Sequence, residues 1–238
     1  MPQFSGRSTV DPGAEAAAEA PGHEKRPRCE AGLLRSSGVI LAGGASRRMG
    51  RDKLSMSVGG VSLIRHSYDT LARKCEEVLV VASQGPPRSY GMPARPVLDL
   101  RPGRRGPLAA MEAGLSAARN RRVFVAAGDA PFVPEKLVGS FLDRLSEAGV
   151  RAVVPRYGGR VHPLCAAYER DLLVDLSFAL NIGVSAVKDF LANVEGVRYV
   201  EDELESFGDP EVFLMNVNSP EDLARARSLF SGLPDAEQ

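Results

Sequence analysis

The sequence predicts an α/β fold built on a mostly parallel sheet, and three observations carry that prediction. Its strand candidates are continuous apolar runs, such as Val78-Leu79-Val80-Val81 and Val123-Phe124-Val125-Ala126-Ala127. Strands that are apolar on both faces belong to sheets covered by helices on each side. These runs alternate with segments of helical period, the order of βαβ units. Finally, several of the runs end in Gly, Asp or basic residues, at the edge where open parallel sheets bind ligands.

The chain as a whole sets bounds on this fold. With 238 residues, 44% of them hydrophobic and 25% charged, it suffices for one domain with a sizeable core. Lys+Arg and Asp+Glu balance at 30 each, which argues against the basic excess of a bulk nucleic-acid binder. No apolar stretch approaches the ~20 residues of a membrane span. The N-terminus has no apolar secretory core, so a cytoplasmic address is expected. Cys29, Cys75 and Cys165 are far apart and form no CxxC pair, which reads as free thiols in a reducing compartment. Residues 1–36 are rich in Ala, Glu, Pro and Gly, with few large apolar side chains. They bury too little to offset their ordering entropy. They are expected to be a disordered tail, or the product of a start codon placed too early, with the folded domain spanning 37–238.

Val39-Ile40-Leu41 opens the domain as a short strand ending at Gly43-Gly44. Ser62 to Lys74 carries Leu63, Ile64, Ser67 and Leu71 at helical spacing, with Ser62 as a cap. Strands follow at 78–81 and 96–100, then a helix from Pro107 to Arg119 with Pro in its first turn. Residues 123–127 form another buried strand, ending at Gly128-Asp129, and 134–146 a helix. In the second half, strands are expected at 152–154 and 164–167 around a Gly158-Gly159 turn, and helices at 171–180 and 185–191. Short strands are expected at 197–200 and over Phe213-Leu214-Met215. Ser219-Pro220-Glu221 starts the last helix, with Ser as cap and Pro in the first helical position.

Three strand ends carry residues suited to a nucleotide triphosphate. The first runs from Leu41, Ala42, Gly43 and Gly44 through Arg47, Arg48 and Arg51 to Lys53. Small residues let backbone N–H groups approach a ligand, and the cations suit a polyanion. A solvated basic turn has the same composition. Neither GxxxxGK[ST] nor GxGxxG is present. The second end is Asp129, held in a Gly/Pro turn after a wholly apolar strand, where a carboxylate suits Mg²⁺ or simply forms a turn. The third is Asp99, ahead of the basic loop 101–107, which reads as a ligand group or as a cap of the next helix. His162 reads as a structural polar contact beside Pro163, His66 as a surface residue, and Tyr157 and Tyr168 as packing residues.

Residues 41–53 follow the pattern LAGGxSxRMGxDK, which resembles the signature of the molybdenum cofactor guanylyltransferases. Gly106-Pro107-Leu108-Ala109-Ala110, Gly128-Asp129-Ala130-Pro131, His162-Pro163 and Asn216-Val217-Asn218-Ser219-Pro220 resemble later motifs of that family, in order. The resemblance implies a three-layer α/β/α domain with a Rossmann-like sheet, of the nucleotide-diphospho-sugar transferase type. It implies a reaction that joins GTP to Mo-molybdopterin and releases pyrophosphate, with molybdopterin-delivering and molybdoenzyme-assembly proteins as further partners. By position, Leu41, Ala42, Gly43 and Gly44 would contact the nucleotide together with Asp99. Arg48 and Lys53 would bind phosphate, and Asp129 would hold Mg²⁺. His162, Asn216 and Asn218 would face the acceptor.

Two departures stand out. Gly183-Val184-Ser185 lacks the Arg that the family often carries there, and Ala82-Ser83-Gln84 lacks an Asn. The rival readings are a cytidylyltransferase, a transferase for another phosphorylated acceptor, or a catalytically silent nucleotide binder. Lys53, Asp99 and Asp129 argue against silence. Gly43, and Asp52 ahead of Lys53, favour guanine, because the cytidylyltransferases tend to read LAAG with Pro before the Lys.

Overall fold

The computed structural model of the chain describes residues 35–43, 52–82, 90–101 and 106–232. Arg48 and Gly44 therefore lie outside the described residues, as do the first 34 residues and Cys29. The central strands are β1 (Ser36–Leu41), β4 (Glu77–Ala82), β5 (Arg95–Leu98) and β6 (Arg122–Ala127). β1 begins one residue before the expected domain start, because the Ser36 carbonyl accepts from the Glu76 N–H and from the Asn120 side chain.

The sheet runs β10 (Val197–Val200), β7 (Ala152–Tyr157), β9 (Cys165–Glu169), β6, β1, β4, β5. β1 pairs in parallel with both β4 and β6, while β9 lies antiparallel to β6 and β7. β8 (Arg160–Val161) folds back on β7 across Gly158 and Gly159, whose φ values of 55° and 72° suit a tight hairpin turn. The chain leaves β1 toward β4 on one side and later returns to β6 on the other. The crevice beyond Leu41 and Ala127 is thus a switch point of the sheet.

Alternating strand residues feed two cores. Ile40, Val80 and Phe124 point toward α1 (Leu63–Lys74) and α3 (Glu135–Arg144). Val39, Leu41, Val81 and Val125 point toward α2 (Gly106–Ala117), α4 (Leu173–Asn181) and α5 (Val187–Leu191). This is the three-layer α/β/α arrangement that the resemblance implied, and it agrees with strands that are apolar on both faces. A third, smaller core joins the hairpin β2 (Ser57–Val58) and β3 (Val61–Ser62) to α7 (Pro220–Gly232) through Val58, Leu63, Val217 and Leu223. That cluster brings the C-terminal segment back to the crevice.

Three local expectations need correction. Phe213-Leu214-Met215 is not a strand: α6 (Pro210–Phe213) ends there, capped by the Asp209 carboxylate, which accepts from Glu211 N–H at 2.9 Å. Its N-terminal Pro and capping Asp outweigh the short apolar run. Ser62 occupies the cap position of α1 but makes no side-chain capping bond. His66 is half-buried, not a surface residue: its Nε2 meets the Val58 carbonyl at 2.9 Å and its ring packs on Phe230. The cap at Ser219 does form, and reciprocally. Its Oγ accepts from Asp222 N–H at 3.1 Å, while Asp222 accepts from the N–H groups of Asn218 and Ser219.

The seam between α2 and the sheet depends on Gly114. A Cβ at that position would lie 2.5 Å from Val39 Cγ1 and 3.4 Å from Val81 Cγ2. Gly114→Ala would gain about 0.5–1 kcal/mol of helix propensity. Overpacking against a stiff β-branched side chain costs about 1–3 kcal/mol, so the net effect is a loss. Urea denaturation should show a lower midpoint at unchanged slope, and a midpoint equal to or above wild type would refute the packing argument.

Candidate functional site

The crevice at the switch point is held open by small residues. Gly128 N–H donates to the Leu41 carbonyl at 3.1 Å, which ties the end of β6 to the end of β1. A Cβ on Gly128 would meet that same carbonyl at 3.3 Å, tight enough that a larger residue would push the two strand ends slightly apart. Ala42 N–H donates to Val81, and beyond it Gly43 is exposed at the rim. Leu41, Ala42 and Gly43 therefore stand beside the Asp129 turn, as the sequence suggested.

Asp129 is fixed through its turn. Ser67, buried on α1, donates from Oγ to the carbonyls of Ala127 and Ala130, both at 3.2 Å. The Asp129 carbonyl accepts from Val217 N–H at 2.9 Å. Sequence reasoning took Ser67 as part of the apolar stripe of α1. Its signal was available, because a hydroxyl on a buried helical face needs a partner.

Lys53 reaches this turn from a single 3-10 turn, Lys53–Ser55, capped by Asp52. The Asp52 carboxylate accepts from Leu54 N–H at 3.2 Å, so the residue read as a mark of guanine preference also aims the lysine. Lys53 Nζ donates to Asp129 Oδ2 at 2.5 Å and to Asn218 Oδ1 at 2.8 Å. The side chains of Lys53 and Asp129 are 15% and 13% exposed, sheltered enough to be only weakly screened. Among the described residues no group of three His, Cys, Asp or Glu side chains surrounds a metal position.

Asn216 and Asn218 flank Val217, which is fully buried in the third core. The two amides serve different places. Asn218, expected on the acceptor side, joins the Lys53–Asp129 cluster. Asn216 lines a cavity of about 540 Å³, together with His162, Ser185, Lys188, Gly106 and Ala130. Ala130 and Asn216, which line it, are chain neighbours of Asp129 and Val217, so the cavity lies beside the charged cluster. Its remaining walls include Pro163, Leu164, Val187 and Leu214. Burial lowers the pKa of His162, with the Arg160 charge adding to the effect, which leaves the ring neutral at neutral pH. The buried Cys165 thiol on the same wall is pushed up to about 12 and stays protonated. Among the described residues of this lining, Lys188 is the one basic side chain besides His162. Tyr168 is buried and donates to the Pro163 carbonyl at 2.7 Å, which agrees with a packing role; Tyr157 is exposed.

Asp99 follows β5, and its N–H donates to Ala82 at 3.2 Å, continuing the ladder. From β5 across β4 and β1 to β6 is three strand spacings, roughly 14 Å. Asp99 and Asp129 are therefore at opposite ends of one row of strand termini.

Residues 38–202 match the MobA-like NTP transferase domain family. The chain is 38% identical over 202 residues to a molybdenum cofactor guanylyltransferase of Cereibacter sphaeroides, covering 83% of this chain and 98% of that one. It is 35% identical over 196 residues to a probable molybdenum cofactor guanylyltransferase of Pelotomaculum thermopropionicum, covering 82% and 93%. Among solved structures it is similar to molybdopterin-guanine dinucleotide biosynthesis protein A from Archaeoglobus fulgidus, with a TM-score of 0.70 and 25% identity over 83% of this chain and 100% of that one. A 2-C-methyl-D-erythritol 4-phosphate cytidylyltransferase from Thermus thermophilus, 23% identical with a TM-score of 0.59 over 80% of this chain and 96% of that one, shares the fold.

Proposed function

The chain belongs to the MobA-like NTP transferase family, alongside the molybdenum cofactor guanylyltransferases, and we propose that it transfers GMP from GTP to Mo-molybdopterin, releasing pyrophosphate. The observation that carries this reading is the Lys53–Asp129–Asn218 cluster, which sits at a sheet switch point with a separate cavity beside it, lined by the neighbouring Ala130 and Asn216. One substrate needs the charges and the other needs the cavity. The nucleotide lies across the strand ends, with its base toward Asp99 and its phosphates toward Lys53.

The acceptor ends in a phosphate monoester, which is ionised near neutral pH. One of its oxygens attacks the α-phosphorus of GTP, a new P–O bond forms, and the bond to the β-phosphate breaks with the electron pair leaving on pyrophosphate. No side chain has to remove a proton, so the protein's contribution is alignment and charge. Lys53, already held by two acceptors, offers its remaining N–H to the phosphates without reorganising. Arg48, between Gly43 and Lys53 in the sequence, adds a further cation.

Mg²⁺ fits this donor set. A single carboxylate such as Asp129 is what a phosphate-borne Mg²⁺ requires, since it draws its other ligands from the triphosphate and water. Bound there, the ion would neutralise charge on the phosphates. His162 and Asn216 contribute neutral hydrogen-bonding groups to the acceptor cavity. Lys188 supplies the cation that Ser185 does not. A cytoplasmic place of action suits this biosynthetic chemistry, and among the described residues no helix is long and apolar enough to cross a membrane.

Pyrophosphate release from each of the four NTPs, with and without Mo-molybdopterin, tests the whole reading. GTP should exceed CTP by at least ~100-fold in kcat/KM, near 3 kcal/mol, and only with acceptor present. A preference for CTP would sink the guanylyl assignment and leave the fold untouched. Asp129→Asn, which keeps size and removes charge, should cut the Mg²⁺-dependent rate at least ~100-fold while the melting temperature stays near wild type. Turnover within about threefold of wild type would remove Asp129 from the metal site. On the acceptor side, Lys188→Ala should raise KM for Mo-molybdopterin several-fold, and Ser185→Arg should lower it. Acceptor KM values indifferent to both changes would place the acceptor's anionic groups elsewhere.

A further inference from the structure

We propose that Arg101 is a positioning residue for the nucleotide base, acting by fastening the Asp99 segment to helices α2 and α4. The inference rests on the reading above that Asp99 meets the base. It starts from a difficulty in the fold. Among the described residues β5 is an edge strand, paired on one side only. Leu98 and Leu100, on either side of Asp99, are 49% and 59% exposed. Apolar packing therefore does little to hold the segment that carries Asp99.

Polar contacts take that place, and they converge on one guanidinium. Arg101 Nε and Nη2 donate to the two carboxylate oxygens of Glu112 at 2.6 and 2.7 Å, a forked pair. Arg101 Nη1 donates to Asn181 Oδ1 at 2.8 Å, at the C-terminal end of α4. Glu112 also accepts from Ser177 Oγ at 2.7 Å, which ties α4 to α2 at the same point. The Arg101 backbone N–H donates to Asp99 Oδ1 at 3.1 Å. Placement of the Arg101 backbone thus sets where one oxygen of Asp99 points.

The anchor itself is rigid. Glu112 is 5% exposed within α2, and the hydrogen bond from Arg101 holds its carboxyl below the ordinary range, ahead of the opposing effect of burial. A lysine at 101 keeps the charge but cannot reproduce the fork, so the segment would loosen without losing its cation. A looser Asp99 would weaken recognition of the base and leave the phosphate end of the site, three strands away, unchanged.

The test is a double-mutant cycle on the full chain. Wild type, Arg101→Lys, Asp99→Asn and the double variant are assayed for pyrophosphate release with GTP and CTP, and their melting temperatures are measured. Glu112→Gln serves as a second way to cut the anchor. We expect Arg101→Lys to raise KM for GTP about tenfold and to narrow the GTP-over-CTP preference, with kcat at saturating GTP unchanged. Glu112→Gln should act in the same direction, and adding Arg101→Lys to Asp99→Asn should change KM no further. An Arg101→Lys protein with a lower melting temperature but an unaltered KM and base preference would overturn the proposal, leaving the pair a purely structural one. Fully additive effects on KM would also overturn it. If Asp99→Asn alone changes neither KM nor base preference, the failure lies with the reading of Asp99 itself.

Discussion

The position of Lys53 Nζ is the constraint around which the site is arranged. It joins Asp129, 76 positions along the chain, and Asn218, 165 positions along. None of these groups is fixed by its own local sequence alone. Lys53 needs the Asp52 cap, Asp129 needs Gly128 and Ser67, and Asn218 needs the peg of Val217 in the third core. A charged pair that is mostly sheltered from water is costly unless its geometry is held by surrounding structure. The small core between the β2–β3 hairpin and α7 therefore has a purpose beyond stability. It delivers a neutral amide to a lysine that would otherwise face Asp129 alone.

This arrangement follows from the topology. Parallel strands entering from the same end leave their carboxyl ends in one row, and β1 and β6 meet where the chain reverses its direction across the sheet. Gly128 allows those two ends to close up through the Leu41 carbonyl. Between them they offer one lysine, one carboxylate and exposed backbone at Gly43. Asp99 lies at the far end of the same row, so under the proposed function distance along the row would separate recognition of the base from handling of the phosphates.

Much of this was legible before any coordinates. Asp129 could be picked out because it follows a run whose burial is obvious from composition, while Lys53 stood out in a small-residue, basic segment after the first strand and Asp99 as a carboxylate closing a short strand. The three-layer order was legible from the resemblance, and the doubly apolar runs agreed with it. The position of Asn218 was not, since nothing local marks a pairing over 165 positions. Ser67 was hidden by its placement in an apolar stripe, where a short polar residue reads as tolerated rather than as a donor. Phe213-Leu214-Met215 misled because three consecutive apolar residues fit either period. The deciding signal, Asp209-Pro210, lay just upstream in the sequence.

The two halves of the site are built on different physical terms, and this explains why the sequence spoke more clearly about one than the other. The nucleotide half is a set of ionised groups held by hydrogen bonds from buried or capped neighbours, and such sets require particular residue types. The half proposed for the acceptor is a cavity with largely apolar walls that carries, among the described residues, a histidine whose pKa burial lowers, a protonated thiol and one lysine. An apolar wall accepts many residues of similar volume, so its sequence is less constrained. A cation need only reach the cavity, and a long flexible side chain can do so from more than one position. A lysine at 188 in place of an arginine two residues after Gly183, as proposed above, is the kind of change such a wall would allow. The same latitude is not available to Lys53, whose nitrogen has two fixed partners.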